Sequence, residues 1–168
     1  MKQTEISEFY DEYVQRQLKI GANERLISLY KRLVNLGLNE NSRVLELGCG
    51  VGIFTKLLSK KISAGIIEAA DLSEKSIAVA KDLIKNKNNI SCFVADVVHY
   101  QPRNSDFDFI TLMDVIEHIP LDQHEKLFEN LAKIATEKTQ IAINIPNPQY
   151  IEYTRKHNPA SLQVIDQE

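Results

Sequence analysis

Five short apolar runs, at residues 44–47, 64–70, 90–95, 107–113 and 140–145, alternate with stretches of helical periodicity, and this alternation constrains the fold more than any other feature. Runs of this length bounded by turn residues suit buried strands. The intervening segments 53–60, 73–85 and 122–136 each place apolar side chains on one helical face. Phe54, Leu57 and Leu58 share the first face, Ile77, Ala80, Leu83 and Ile84 the second, and Leu127, Phe128, Leu131 and Ala135 the third. Ser73 and Asp122 are the candidate N-caps. Residues 97–106 read as a loop with room for a short helix. Strands that alternate with helices predict an α/β fold, a doubly wound and mainly parallel sheet of about five strands covered on both faces.

Two amphipathic helices precede the alternation. Ile6, Phe9, Tyr10, Tyr13, Val14 and Leu18 recur at helical spacing, as do Leu26, Leu29, Tyr30, Leu33 and Leu36. Gly37 follows the second set where a left-handed C-cap is expected, and Asn39 to Ser42 read as a turn. The Phe9-Tyr10-Asp11-Glu12-Tyr13 segment has two readings, an aromatic lid over a ligand or a helix face packed on the sheet.

With 168 residues the chain has material for one domain and one core. Hydrophobic residues at 43% and charged residues at 26% are average for a folded domain and exclude disorder, collagen and disulfide scaffolds. Lys plus Arg number 20 against 23 Asp plus Glu, a net charge of −3, which gives no overall attraction for nucleic acid or an anionic membrane. A small neutral or cationic partner fits this charge better. Two cysteines, Cys49 and Cys92, sit in apolar stretches and read as reduced, structural residues. Nothing resembles a signal peptide or a membrane span, so the cytoplasm is the expected location.

Ligands on doubly wound sheets bind beyond the C-terminal strand ends, which makes those ends the place to look. The first strand runs into Glu46-Leu47-Gly48-Cys49-Gly50-Val51-Gly52 and then a helix. Three glycines at alternate positions let a ligand lie against main chain at a helix N-terminus, although a tight turn needed for packing alone would also use them. A dinucleotide fingerprint requires a third glycine one position later, where Ile53 stands. Glu46 also suits a diphosphate badly and a cationic amine well.

The Glu-x-Gly-x-Gly-x-Gly segment resembles the first motif of the S-adenosylmethionine-dependent methyltransferases with a Rossmann-like sheet. Later strand ends match that family in order: Asp71 in Ala70-Asp71-Leu72-Ser73, Asp96 in Val94-Ala95-Asp96-Val97, the Met113-Asp114-Val115-Ile116-Glu117-His118 segment, and Asn144-Ile145-Pro146. The resemblance implies strand order 3-2-1-4-5, a helical cap at 1–38, a cofactor-binding core at 39–146 and a tail at 147–168. It implies a transferase that moves a methyl group from S-adenosyl-L-methionine to a small-molecule O or N acceptor and leaves S-adenosyl-L-homocysteine. Glu46, Gly48, Cys49, Gly50 and Gly52 would hold the methionine end, Asp71 with Leu72 the ribose, and Asp96 with Val97 the adenine, with Met113 and Asp114 completing the cofactor site. Asp71 as a helix cap and Asp96 as the start of a turn are the structural alternatives.

On the acceptor side, Asp114, Glu117 and His118 would share a face if that segment is helical. His118 is a candidate general base, and the three together resemble a divalent-metal segment of quinone-type O-methyltransferases, although the same Glu-His pair occurs in members without a metal. The expected metal content is none. His99, His124 and His157 show no partner pattern. Relatives add strands after the fifth, so the tail at 161–168 resembles the beginning of an acceptor-side region and the chain reads as a fragment or a minimal variant. The fifth strand would then be an exposed edge that a second subunit could cover. Two rival readings remain: a non-catalytic cofactor-binding module, and a nicotinamide-dependent oxidoreductase, which lacks a Tyr-x-x-x-Lys hydride-transfer site here.

Overall fold

The computed structural model describes Val14 and residues 17–159. The aromatic segment at 9–13 and the tail at 161–168 lie outside the described residues, as does most of the first expected helix. Residues 17–20 are helical and lead through Gly21 to α1 (Glu24–Asn35), which Asn23 caps by accepting from the Leu26 N–H. Gly37 has the expected left-handed conformation (φ 107°), and the Leu38 N–H returns to the Leu33 carbonyl at 2.9 Å. The chain continues through β1 (Arg43–Leu47), α2 (Ile53–Leu58), β2 (Ile66–Asp71), α3 (Glu74–Leu83) and β3 (Ile90–Val94). It ends with β4 (Phe109–Met113), a single 3-10 turn (Ile116–His118), α4 (Leu121–Ile134), β5 (Gln140–Asn144) and α5 (Pro148–His157).

The five strands form one sheet in the order β3-β2-β1-β4-β5, and every neighbouring pair is parallel. Successive side chains of each strand face opposite sides. Leu33, Phe54, Leu58 and Ile77 close over Val44, Ile67 and Phe109 on one face. Leu127, Leu131, Tyr100 and Phe107 close over Leu45, Leu47, Ile110 and Leu112 on the other. Each fully buried Leu or Phe contributes about 1.5–3 kcal/mol.

Several expectations need correction at the ends of elements. β2 starts at Ile66, because the Glu40 carbonyl holds the N–H groups of Ser63, Ala64 and Gly65 in a turn. Asp122 is not an N-cap: α4 starts at Leu121 behind Pro120, with no side-chain cap. On α4 the buried face is Leu127, Asn130 and Leu131, whereas Phe128 is exposed. At the sheet edge, Ile141 and Ile143 of β5 are exposed as well.

Glu68, inside the apolar run of β2, is fully buried and still satisfied. Its carboxylate accepts from the Tyr100 hydroxyl at 2.7 Å and from the N–H groups of Arg103 and Asn104 at 2.7 and 3.0 Å. These bonds fasten the loop after β3 under the sheet, and that loop carries Asp96 and Val97. Burial and the adjacent Glu68 carboxylate push the Tyr100 phenol well above its usual range.

Candidate functional site

The turn after β1 is fixed by its own backbone. The N–H groups of Gly48 and Cys49 both donate to the Ala70 carbonyl, at 2.7 and 3.0 Å, which ties the turn to the end of β2. Gly48 has φ 77°, and a Cβ there would come within 2.2 Å of Val115 Cγ2. Gly52 (φ 81°) is the N-cap residue of α2 and lies against Ala80, so it serves helix packing.

Two carboxylates are placed by the same local means. Asp71 Oδ2 accepts from the Gly50 N–H at 2.8 Å and Oδ1 from the Ser73 N–H at 2.9 Å, while the Ser73 hydroxyl caps α3 by accepting from Ser76. Asp71 is therefore a brace between the glycine turn and the end of β2, and it is not the cap of α3. Asp96 Oδ1 accepts from the Val98 N–H at 2.9 Å, the geometry of a residue that starts a turn. Beside them, Leu72 is exposed and Val97 is buried.

Glu46 sits beneath the turn, 2% exposed, and its Oε2 is buried without a hydrogen-bond partner. Burial pushes its carboxyl up from 4.5 to about 8; the nearby Thr55 hydroxyl offsets part of this, and the negative character of Cys92 and Asp71 adds to it. The Thr55 hydroxyl is likewise buried without a hydrogen-bond partner. Glu46 is thus largely protonated at neutral pH until a cation comes near.

The ends of β4 and β5 are organised differently. Asp114 has φ 58°. Its Oδ1 accepts from Arg25 Nη1 at 2.9 Å and from Asn144 Nδ2 at 2.7 Å, and its Oδ2 pairs with Arg25 Nη2. Arg25 on α1 is thereby bound to the end of the sheet. The expectation that Asp114, Glu117 and His118 share a helical face fails, because only Ile116–His118 turns, as a 3-10 element, and Asp114 precedes it in a left-handed conformation. His118 Nε2 lies 4.0 Å from Glu117 Oε1. Among the described residues no group of three or more His, Cys, Asp or Glu is arranged to hold a metal ion.

A cavity of about 800 Å³ opens over the strand ends. Glu46, Gly48, Cys49, Gly50, Asp71, Leu72, Asp96, Val97, Met113, Asp114 and His118 all border it; Gly52 and Glu117 do not. Sequence reasoning expected a helical cap at 1–38 but singled out none of Gln17, Ile20, Asn23 and Arg25, which also line the cavity. Arg25 stands just before the apolar set that begins at Leu26, and its partner lies 89 positions away, so no local pattern announces the pair.

A model of the methyltransferase domain matches residues 10–165. Malonyl-[acyl-carrier protein] O-methyltransferase 1 of Ilyobacter polytropus is 28% identical over 160 residues, covering 95% of this chain and 54% of its own length. The phosphoethanolamine N-methyltransferase of Plasmodium falciparum is 29% identical over 103 residues, 61% of this chain and 38% of its own. The chain thus spans about half the length, or less, of these curated relatives. Among solved structures, the PH0226 protein of Pyrococcus horikoshii superposes with a TM-score of 0.71 at 21% identity, over 84% of this chain and 63% of that one. The N-methyltransferase NodS of Bradyrhizobium japonicum, solved with S-adenosyl-L-homocysteine, gives 0.60 at 22% identity, over 74% and 67%. These two likenesses concern the fold.

Proposed function

Since the chain belongs to the methyltransferase-domain family, matched over residues 10–165, we propose that it is the cofactor-binding and catalytic unit of an S-adenosylmethionine-dependent methyltransferase acting on an oxygen or nitrogen of a small molecule. The observation that carries this reading is the convergence on one cavity of a glycine turn, a buried unpartnered Glu46 and two strand-end carboxylates, Asp71 and Asp96. A volume of about 800 Å³ falls within the usual range of small-molecule sites.

S-adenosylmethionine supplies a methyl group already activated on a sulfonium, which leaves the protein to bind, orient and exclude water. Glu46 and the turn at Gly48 to Gly50 would hold the amino-acid end. The orphaned Glu46 oxygen suits an ammonium group, whose charge draws the carboxyl into its ionised form. Asp71 uses one lone pair of each oxygen on the backbone, and a carboxylate has about four acceptor sites, so capacity remains for ribose hydroxyls. Asp96 would accept from the adenine amino group, with Val97 as its apolar flank. His118, at the cavity wall, is the side chain available to take a proton from an acceptor that must lose one.

Calorimetric titration with S-adenosylhomocysteine, set beside NAD, tests this reading. Binding of the former and none of the latter is expected, and the reverse contradicts the proposal. Asp71→Ala should weaken S-adenosylhomocysteine binding by about tenfold or more, because it removes the ribose acceptor and leaves the Gly50 N–H unpaired.

A further inference from the structure

Next to the site is a pair of thiols that the proposed reaction does not use. Cys49, inside the glycine turn, is 6% exposed and borders the cofactor cavity; Cys92, on β3, is 4% exposed. The two are brought together by register: Ala69 faces Cys92 across β2 and β3, and the Cys49 N–H is bound to the carbonyl of the next residue, Ala70. Both side chains lie in the same buried cluster, and the Cys49 thiol donates to the Gly50 carbonyl at 3.7 Å. The proximity of the two thiols and burial push the Cys49 thiol well above its ordinary range, whereas Cys92 is lowered by its Cys49 neighbour and by Lys81 despite its burial. Cys92 is thus the sulfur that ionises first.

Cys92 also has its own route to solvent. It borders a second cleft of about 430 Å³ along the free edge of β3, where Lys81, Lys85, Lys87 and Arg103 converge. The Arg103 guanidinium lies 4.1 Å over the Phe93 ring, and Lys85 is paired with Asp82 at 3.1 Å. A cysteine whose ionisation is eased beside a basic cleft is in the environment in which thiols react with small oxidants.

We propose that Cys49 and Cys92 form an oxidisable pair, and that hydroperoxides convert it to a disulfide that disables the cofactor site. The consequence for the cofactor rests on the methyltransferase reading above; the disulfide itself does not. In the first step the Cys92 thiolate attacks hydrogen peroxide, giving a sulfenic acid and a hydroxide that is protonated to water. In the second, Cys49 loses its proton, its sulfur attacks Cys92, the S–S bond forms as the S–O bond breaks, and a second water leaves. Two thiols are oxidised and one peroxide is reduced. Pulling Cys49 toward β3 shifts the Gly48 to Gly50 turn and its bond to Asp71, so the cradle no longer fits its ligand.

The full chain is treated with hydrogen peroxide under native conditions, mapped by peptide mass, and titrated calorimetrically with S-adenosylhomocysteine before oxidation, after it, and after dithiothreitol. A Cys49–Cys92 cross-link, a loss of affinity of about tenfold or more and recovery on reduction are expected. Cys92→Ala should bind like the reduced protein and resist peroxide. Absence of the cross-link, or a cross-link with unchanged affinity, overturns the proposal. If the reduced protein does not bind S-adenosylhomocysteine the methyltransferase reading falls, and the mass map still decides whether the pair is oxidisable.

Discussion

At the ends of β2 and β3, acidic side chains are held by backbone N–H groups from their own turn or its neighbour: Asp71 by Gly50 and Ser73, Asp96 by Val98. At the ends of β4 and β5 the acidic side chain is held by distant side chains: Asp114 by Arg25, 89 positions away, and by Asn144, 30 positions away. The first region is a rigid cradle with main chain on its surface. The second is a clasp between separate elements, with Arg25 46% exposed in its side chain.

The largest effect expected from this contrast concerns Glu46. Its carboxyl ionises near pH 8 when folded, against 4.5 ordinarily. The folded state therefore holds more protons than the unfolded one between those values, and this contribution to stability is full below pH 4.5 and lost as the pH rises through about 8. The loss amounts to a few kcal/mol on the order given by linkage. Denaturant titrations of the ligand-free protein from pH 5 to pH 8.5 should show this decline, and Glu46→Gln should flatten it. Binding of a cationic ligand should release a proton near neutral pH, read as a buffer-dependent calorimetric enthalpy that Glu46→Gln removes.

Gly48→Ala comes next. The added Cβ meets the stiff Val115 side chain at 2.2 Å in a left-handed backbone, so a loss of about 2–3 kcal/mol is expected, with impaired ligand binding. Stability and affinity close to wild type would show that the cradle is not rigid. The smallest effect belongs to Arg25→Ala, which opens the clasp. A partly exposed ion pair contributes about 1 kcal/mol or less, so thermal stability should fall slightly and S-adenosylhomocysteine affinity by no more than severalfold. A loss as large as that of Asp71→Ala would erase the distinction between the two regions.

The same contrast explains what was legible in the sequence. The alternation of apolar runs and helical faces specified the parallel sheet, and the glycine turn, Asp71 and Asp96 follow the strand ends that the alternation marks, where adjacent residues and the paired strand β2 hold them. The clasp was not legible, since nothing near Arg25 refers to Asp114. Phe128 was assigned to a buried face by periodicity alone, but α4 turns Asn130 inward, where its Nδ2 donates to the Tyr100 carbonyl at 2.9 Å. Glu68 hid inside an apolar run, and only the tertiary structure reveals the three partners that make its burial tolerable. Cys49 and Cys92 each read as an inert apolar residue, and only the pairing of β2 with β3 brings them together.

The most direct test of the cradle is an amide chemical-shift map of the protein titrated with S-adenosylhomocysteine. The largest perturbations should fall on Gly48 to Gly52, Asp71 to Ser73 and Asp96 to Val98, with the basic cleft around Lys85 and Lys87 unmoved. Saturable shifts centred on that cleft, or no saturable shifts at the glycine turn, would contradict it.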